Sequence, residues 1–383
     1  MSLNKKIFFI SLTLFCVALL FFGIYNLAFK SPAEEIPLTP KKEAPVVVLP
    51  TVQPKISTEA IVALSDEAVL APTLANGTEA IKYYAKNSGR VYQIDFNGNN
   101  KRTFSDKELL GLTFVSWSPD KNKVITKFVR AGLASLYYYN YTDLTNFSLK
   151  NNVDEVAWQD SNNRIFYKYS DSASKKTTLN ISDPDGTNWI KLADITFRDI
   201  SIAQIPKSSL VSFWNKPDAF SETAFKSAPI IGGEEKIILK GVFGANYLWN
   251  NDGSLALVSH SDVKGGTKIQ LSVVNSNGGE FHNLDLPTLV SKCVWLANNK
   301  ALYCALPGEI PASAIMPNDY DQEKFHTADT FWKIDTTTGE KSRIVDLNKI
   351  TSKYDATKLF LNANESLLFF TNRTDGKLYK ITL

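Results

Sequence analysis

The chain repeats one short pattern at intervals of about 45 residues, and this repeat restricts its fold more than any other feature. Each copy is an apolar segment that ends in an aromatic residue, then a short polar turn and a second apolar segment. The clearest copies carry, at the end of the first segment, Trp117, Trp158, Trp249 and Trp295. Weaker copies run through Thr73, Ala203 and Leu361. Neighbouring copies are 41 to 46 residues apart, except for one interval of 66 residues.

A period in the forties with strand-turn-strand content is typical of β-propeller blades. Each interval also carries a second hairpin, such as Leu179 to Trp189, whose Pro184-Asp185-Gly186 suits a tight turn. Four strands per period is the content of one blade. With seven copies, the sequence predicts an all-β fold, a seven-bladed propeller of four-stranded antiparallel blades over residues 59–383. The wide anchor indoles are expected to lie between neighbouring blades and to serve packing rather than ligand binding.

Two turns resemble those of a known family. The Trp117-Ser-Pro-Asp120 turn and the outer hairpin Ile181-Ser-Asp-Pro-Asp-Gly186 are similar to TolB-like, WD-type β-propeller repeats. The resemblance covers about residues 59 to 383. It implies a propeller fold, and it implies a binding platform as the usual function.

The last copy of the repeat lacks one strand. Its three strands are predicted near Leu359, at Leu367–Thr371 and at Lys377–Leu383, where the sequence stops. The fourth strand is expected from Glu59–Leu64, before the first copy. Closing the ring in this way removes the edges that first and last blades would otherwise expose.

An apolar run of 23 residues, 7–29, precedes the repeats. As a helix it spans roughly 34 Å, enough to cross a hydrocarbon core of about 30 Å. It is longer than the core of a cleaved signal peptide, so residues 1–30 are predicted to be an uncleaved membrane anchor. Lys5 and Lys6 precede the run and only Lys30 follows it closely. This bias predicts a single-pass protein with a cytoplasmic N-terminus and a periplasmic or extracellular propeller.

A proline-rich segment separates the anchor from the repeats. Six of the 16 prolines lie between Pro32 and Pro54. This density excludes a helix and favours extended polyproline II or disorder. Residues 31–58 are therefore predicted to be an extended linker that reaches up to about 3 Å per residue.

The charge composition argues against nucleic acid as a partner. The net charge is +3, and no lysine- or arginine-rich block extends beyond paired lysines. A nucleic-acid surface requires a basic patch or stripe. The expected partners are the membrane, through residues 7–29, and a protein or polysaccharide.

Two stretches exceed the repeat and indicate a binding face. The longer is an insertion, 306–329, in blade six; the shorter is Trp214–Gly233, in the same slot two blades earlier. Both follow the second strand of a blade and are expected to overhang one mouth of the central channel, where long loops usually carry function. The candidate binding residues on this insertion face are Trp214, Phe220, Phe225, Asp319, Tyr320, Asp321, Phe325 and His326.

Catalytic and metal signatures are weak in this sequence. Asp319, Asp321 and Glu323 alternate as in a calcium loop, but the turn glycine and terminal glutamate of an EF-hand are missing. There is no G-x-S-x-G motif, and the three histidines are scattered over separate segments. We therefore predict no metal, no cofactor and no enzyme activity. The alternative is an extracytoplasmic hydrolase or lyase with acidic residues at the channel mouth.

Cys293 and Cys304 flank a turn centred on Asn298 and Asn299. A two- or four-residue turn would set them opposite each other on neighbouring strands, where a disulfide could form. A three-residue turn with a bulge would separate them. A cross-strand disulfide and two buried thiols both remain open at this point.

Overall fold

The structure is a computed structural model that describes residues 59–160 and 163–383. These residues form an almost all-β domain whose strands are numbered in chain order. The first nine strands are β1 (Ile61–Ala63), β2 (Val69–Leu74), β3 (Ala80–Ala85), β4 (Val91–Asp95), β5 (Arg102–Ser105), β6 (Leu112–Trp117), β7 (Lys123–Arg130), β8 (Leu133–Asn140) and β9 (Asn146–Ser148). The next nine are β10 (Val153–Trp158), β11 (Ile165–Ser170), β12 (Thr177–Ser182), β13 (Ile190–Asp194), β14 (Ile200–Gln204), β15 (Leu210–Asn215), β16 (Glu222–Pro229), β17 (Lys236–Trp249) and β18 (Leu255–Ser261).

The remaining elements follow the same pattern. The last nine strands are β19 (Ile269–Asn275), β20 (His282–Asn283), β21 (Cys293–Trp295), β22 (Ala301–Pro307), β23 (Asp329–Asp335), β24 (Lys341–Arg343), β25 (Ala356–Leu361), β26 (Leu367–Asn372) and β27 (Leu378–Thr382). The helical elements of the described residues are one short α-helix, α1 (Asn318–Asp321), and two 3-10 turns, Val290–Lys292 and Leu347–Lys349.

The strands form antiparallel sheets whose order follows the chain. Strands β2–β5, β6–β9, β10–β13 and β21–β24 each form a four-stranded sheet. Strands β14–β20 form a seven-stranded sheet, because the 14-residue β17 pairs with β16 through its first half and with β18 through its second half. The outermost strands β5, β9, β20 and β24 are short and largely exposed, which limits edge-to-edge association.

One sheet joins the beginning of the domain to its end. Its order is β1-β27-β26-β25, and Ile61 lies opposite Ile381. The prediction that Glu59–Leu64 supplies the last strand is therefore confirmed. The ends of the repeat region are held together by an antiparallel ladder rather than by a loop.

The hydrophobic core lies between neighbouring sheets. One cluster packs Phe166 and Leu179 of the β10–β13 sheet against Val211 and Phe213 of β15. Equivalent clusters lie between other adjacent sheets. Middle strands are therefore buried on both faces, which explains their runs of aliphatic and aromatic residues.

The anchor tryptophans join neighbouring copies of the repeat, as their sequence position predicted. Each indole N–H donates a hydrogen bond to the preceding copy of the repeat. Three acceptors lie on the inner strands β2, β6 and β17, and the fourth, Ser212, lies on β15. The donor–acceptor pairs are Trp117 to the Ala71 carbonyl (2.9 Å), Trp158 to the Ser116 carbonyl (2.9 Å), Trp249 to the Ser212 hydroxyl (2.8 Å) and Trp295 to the Leu248 carbonyl (3.1 Å). A buried indole needs such an acceptor, so the anchor supplies both apolar area and a directional contact.

The predicted membrane anchor (residues 1–30) and the proline-rich linker (residues 31–58) lie outside the described residues. Among the described residues, no helix has both the length and the apolar character needed to cross a membrane.

Candidate functional site

The insertion between β22 and β23 folds into a packed cap, which we define as residues 308–328. It contains α1, and three of its apolar side chains, Ala314, Met316 and Tyr320, are 5%, 1% and 2% exposed. Met316 and Tyr320 pack with Ile269 and Leu289 from outside the cap. The apolar residues of the insertion therefore fix it against the sheets.

One end of the cap contacts two loops of the seven-stranded β14–β20 sheet. The Met316 amide donates to the Gly266 carbonyl at 3.1 Å, in the loop that follows β18. The Asn318 side chain donates to Asp218 Oδ1 and accepts from the Ala219 amide, both at 2.8 Å, in the loop that follows β15. The hydrogen bond from Asn318 lowers the pKa of Asp218. These contacts join the insertion to Trp214–Gly233, the shorter of the two stretches that exceed the repeat.

Beneath the cap lies a fully buried ion cluster centred on Lys292. Its ammonium is 2.6 Å from Asp329 Oδ2 and 2.7 Å from Asp355 Oδ1, and all three side chains are 0% exposed. The Thr327 hydroxyl and the Ala356 carbonyl lie 3.0 Å from the same nitrogen. Buried charges persist only when they are paired and hydrogen-bonded in this way.

The cap is tied to this cluster by hydrogen bonds to Asp355. The Tyr320 hydroxyl donates to Asp355 Oδ1 at 2.6 Å, and His326 Nδ1 is 3.0 Å from Oδ2. Arg373 donates to the Tyr320 carbonyl at 3.1 Å, and its guanidinium lies 4.1 Å from the Tyr320 ring centroid. Asp355 directly precedes β25 and Arg373 follows β26, so the cap is joined to the closing sheet.

Electrostatics keeps the centre of this cluster ionised. Burial alone would lower the pKa of Lys292, but Asp329 and the other oxygens around it raise that pKa above its ordinary value. Burial would raise the pKa of Asp355, yet Lys292 and the hydrogen bonds from Tyr320 and His326 hold it below its ordinary value. Burial raises the pKa of Asp329, although Lys292 partly offsets this effect.

Most of the candidate residues within the cap have structural partners. Tyr320 is buried in the cluster, and Phe325 packs against it with ring centroids 5.8 Å apart. Asp319 accepts hydrogen bonds from the Ile315 amide (2.8 Å) and from Lys324 (2.6 Å). Asp321 and His326 are exposed. Among the residues that the structure describes, no group of three His, Cys, Asp or Glu side chains is arranged to hold a metal ion.

Trp214 and Phe225 lie in the core rather than on the insertion face, which corrects the sequence-based assignment. Trp214 is 4% exposed at the end of β15, and Phe225 is fully buried in β16. Phe225 stacks on Tyr247 with ring centroids 3.8 Å apart. Most of residues 214–233 are β16 and its turn into β17 rather than a loop, and the strand pleat places Phe225 on an inward-facing position.

Phe220 is the predicted residue that remains open to solvent beside the cap. Its side chain is 51% exposed. Its ring rests directly on Gly265, where an added Cβ would lie 2.9 Å from the ring. Val263, in the same loop as Gly265, is 59% exposed. We call Phe220 and Val263 the exposed apolar pair.

Sequence reasoning missed Lys292, Asp329 and Asp355. Each stands beside a predicted strand and belongs to no motif. The only available signal was a lone lysine between the apolar Leu289-Val290 and Cys293-Val294. A lysine in this position is equally typical of an exposed turn, so the sequence does not predict its burial.

Cys293 and Cys304 lie directly opposite each other in the β21–β22 ladder. Their Cα atoms are 4.1 Å apart and their sulfurs form a disulfide. Both side chains are buried, at 4% and 0% exposure. Of the two arrangements that the sequence left open, the structure has the cross-strand disulfide.

Comparisons with known proteins identify the class of fold. No family model and no curated protein matches the chain. A solved oligogalacturonate lyase in complex with manganese is similar, with a TM-score of 0.60 at 12% identity over 86% of this chain and 95% of that chain. The β-propeller domain of the Trilobed protease from Pyrococcus furiosus has a TM-score of 0.52 at 12% identity, over 82% and 95% of the chains. The tricorn protease has a TM-score of 0.54 at 12% identity, over 85% and 34%.

These likenesses and the four-stranded antiparallel sheets define the protein as a β-propeller. The fold predicted from the repeat is confirmed at that level. At such identities the likeness concerns the fold alone.

Proposed function

We propose that this protein is a membrane-tethered, extracytoplasmic β-propeller that acts as a non-enzymatic binding or scaffold module for a protein or polysaccharide. In this proposal residues 1–30 are the anchor, with its helix at about 7–29, residues 31–58 are the linker and residues 59–383 are a seven-bladed propeller with the insertion 306–329 in its sixth blade. The strand pairing supports this blade count. If β17 serves as outer strand of one blade and inner strand of the next, the sheets divide into seven sets of four.

The observation that carries the binding role is the exposed apolar pair beside a rigid cap. The insertion's buried polar groups are engaged in holding the cap, whereas Phe220 and Val263 present apolar surface on its border. Exposed polar residues of the same loops, Ser221, Asp262 and Lys264, supply a polar rim. An apolar centre with a polar rim is the usual composition of a recognition surface.

A site-specific crosslinking experiment tests this proposal. A photoreactive phenylalanine analogue replaces Phe220 in the full chain, expressed in its source cells. The matched control places the analogue at Trp189, which is 61% exposed. Trp189 lies in the turn between the third and fourth strands of its sheet, and such turns lie at the opposite end from the turns that follow second strands. We expect a protein or glycan adduct at position 220 and none at 189. No adduct, or the same adduct at both positions, would contradict the proposal.

A second candidate function, a hydrolase or lyase, rests on His326. Its Nδ1 is 3.0 Å from Asp355 Oδ2, while the side chain is 43% exposed. An imidazole oriented by a buried carboxylate has the arrangement of a general base. Oligogalacturonate, for which the lyase of similar fold is named, is the first substrate to test. Turnover by the full chain that is lost in His326→Gln would favour this candidate over the binding module; turnover unaffected by that substitution would remove His326 from it.

A further inference from the structure

A cavity of about 530 Å³ lies between the β2–β5 sheet and the β6–β9 sheet, away from the cap. It arises from unequal strand lengths. Strands β7 and β8 have eight residues each, whereas β4 and β5 have five and four. The longer hairpin extends past its neighbour, so part of one face stays uncovered. This volume is within the usual range for small-molecule sites.

One face of the β7–β8 hairpin forms the main wall. Cross-strand partners on that face all line the cavity, among them Val124 with Tyr139, Thr126 with Tyr137, and Phe128 with Ser135. Their alternation follows from the pleat, which places every second residue on the same side. The Phe128 and Tyr137 rings meet edge to face, with centroids 5.5 Å apart.

The floor of the cavity is closed by a pair of tyrosines from the two sheets. The hydroxyls of Tyr84 and Tyr141 are hydrogen-bonded to each other. Burial, together with the neighbouring Tyr141, raises the pKa of Tyr84 well above its ordinary value, so this floor carries no charge at neutral pH. Tyr141 also meets Tyr139 edge to face at 4.7 Å. The aromatic surface is therefore formed before any ligand enters.

Among the described residues, two cations line the cavity and no carboxylate does. Lys107 Nζ lies 5.1 Å from the Tyr139 ring centroid, and the Arg130 guanidinium lies 5.6 Å from the Phe128 centroid. Asp106 and Glu108 flank Lys107 in the chain but are not part of the lining, and Glu108 pairs with Arg90 at 2.7 Å. Within the described part of the chain, neither Lys107 nor Arg130 forms a salt bridge.

We propose that this cavity is a binding site for an organic anion with a flat, apolar body. The ring system would lie against the tyrosine and phenylalanine side chains, and its carboxylate would pair with one of the two lining cations, Lys107 or Arg130. Aromatic walls favour an aromatic or similarly flat group. Two cations with no acidic neighbour in the lining favour a negative charge on that group. This site is separate from the insertion face and does not depend on the function proposed for it.

Calorimetric titration of the full chain in detergent tests the site, with the detergent alone as a blank. The probes are naphthalene-2-carboxylate and its uncharged match, naphthalene-2-carboxamide. We expect the carboxylate to bind at least about tenfold more tightly than the amide. The double variant Lys107→Met/Arg130→Met should lose that preference. The control Lys175→Met/Lys176→Met removes two exposed charges in the turn between β11 and β12 and should retain it.

A second variant distinguishes the contribution of the aromatic wall to binding from the contribution of the two cations. Tyr137 is 41% exposed, so Tyr137→Ser should leave the fold intact while weakening both probes by a similar factor. Absence of binding by the carboxylate, equal binding of the two probes, or an unchanged preference in the Lys107/Arg130 variant would overturn the proposal. Equal losses in the control variant would do so as well, because they would show a general charge effect.

Discussion

Lys292 Nζ lies 2.7 Å from Asp355 Oδ1, although the two residues are 63 positions apart and both side chains are completely buried. Lys292 directly precedes β21 and Asp355 directly precedes β25, so the pair links the inner strands of two neighbouring sheets. Tyr320 and His326 of the cap bind the same carboxylate. The position of the cap is therefore coupled to the contact between these sheets.

Replacing Lys292 should destabilise the protein strongly. Lys292→Met leaves Asp329 and Asp355 buried without their cation, and removing one partner of a buried ion pair costs about 3–5 kcal/mol. We expect the free energy of unfolding, measured by urea titration, to fall by that amount. Lys324→Met is the matched control, because Lys324 pairs with Asp319 while 57% of its side chain is exposed. Similar losses in both variants would contradict the role given to the cluster.

The anchor indoles should stabilise the fold through the hydrogen bonds of their N–H groups as well as through the apolar area that they bury. Trp249→Phe keeps most of the ring but removes the donor to the Ser212 hydroxyl, which is itself buried. The Ser212 hydroxyl still donates to the Ala203 carbonyl at 2.8 Å, so losing the indole donor costs about 0.5–1.5 kcal/mol, in addition to the lost ring area. Chemical denaturation of Trp249→Phe against Trp189→Phe measures this contribution. Equal stability of the two variants would show that the indole N–H has no such role.

His260 should make stability depend on pH. Burial lowers its pKa, and its neutral form fits the site, since Nδ1 is 3.0 Å from the Ser261 carbonyl and Nε2 is 3.0 Å from the Ser272 hydroxyl. The unfolded chain protonates this imidazole at about pH 6.5, before the folded protein does. Stability contributed by neutral His260 is thus full above that pH and is lost as the pH falls below it.

The measurement is the free energy of unfolding of wild type and His260→Asn at about pH 7.5 and about pH 5. Wild type should lose more stability between these values than the variant. The same loss in both proteins would assign the pH dependence to other groups.

Alkylation of the cysteines tests both the Cys293–Cys304 disulfide and the compartment in which the propeller lies. Cys293 and Cys304 should resist alkylation in protein denatured without reductant, whereas Cys16 should react. After reduction all three should react, as mass spectrometry of the labelled peptides would report. Because disulfides persist in oxidising compartments, labelling of Cys293 and Cys304 without reductant would argue against an extracytoplasmic propeller.

The repeat was readable from the sequence because its signal is local. An aromatic residue at the end of an apolar strand is followed by its turn within a few positions, and the structure places Trp117, Trp158, Trp249 and Trp295 at the ends of β6, β10, β17 and β21. The closing strand was predictable for a related reason. The final copy lacks one strand, and a ring with an open edge is unfavourable.

The ion cluster beneath the cap was harder to predict from the sequence, because its members lie far apart in the chain. Lys292 is buried only because Asp329 and Asp355, 37 and 63 positions away, converge on it. No period or motif records that convergence. Trp214 and Phe225 show the opposite error, since the spacing indicated a loop where the structure has the end of β15 and all of β16.

Recovery of a partner with surface variants tests the central claim most directly. Tagged full-length protein is purified from its source cells under mild detergent, and the partner identified at position 220 is quantified. The double variant Phe220→Ser/Val263→Ser should recover at least about tenfold less partner, while Trp189→Ser should recover as much as wild type. Undiminished recovery with the double variant would contradict binding through the insertion face.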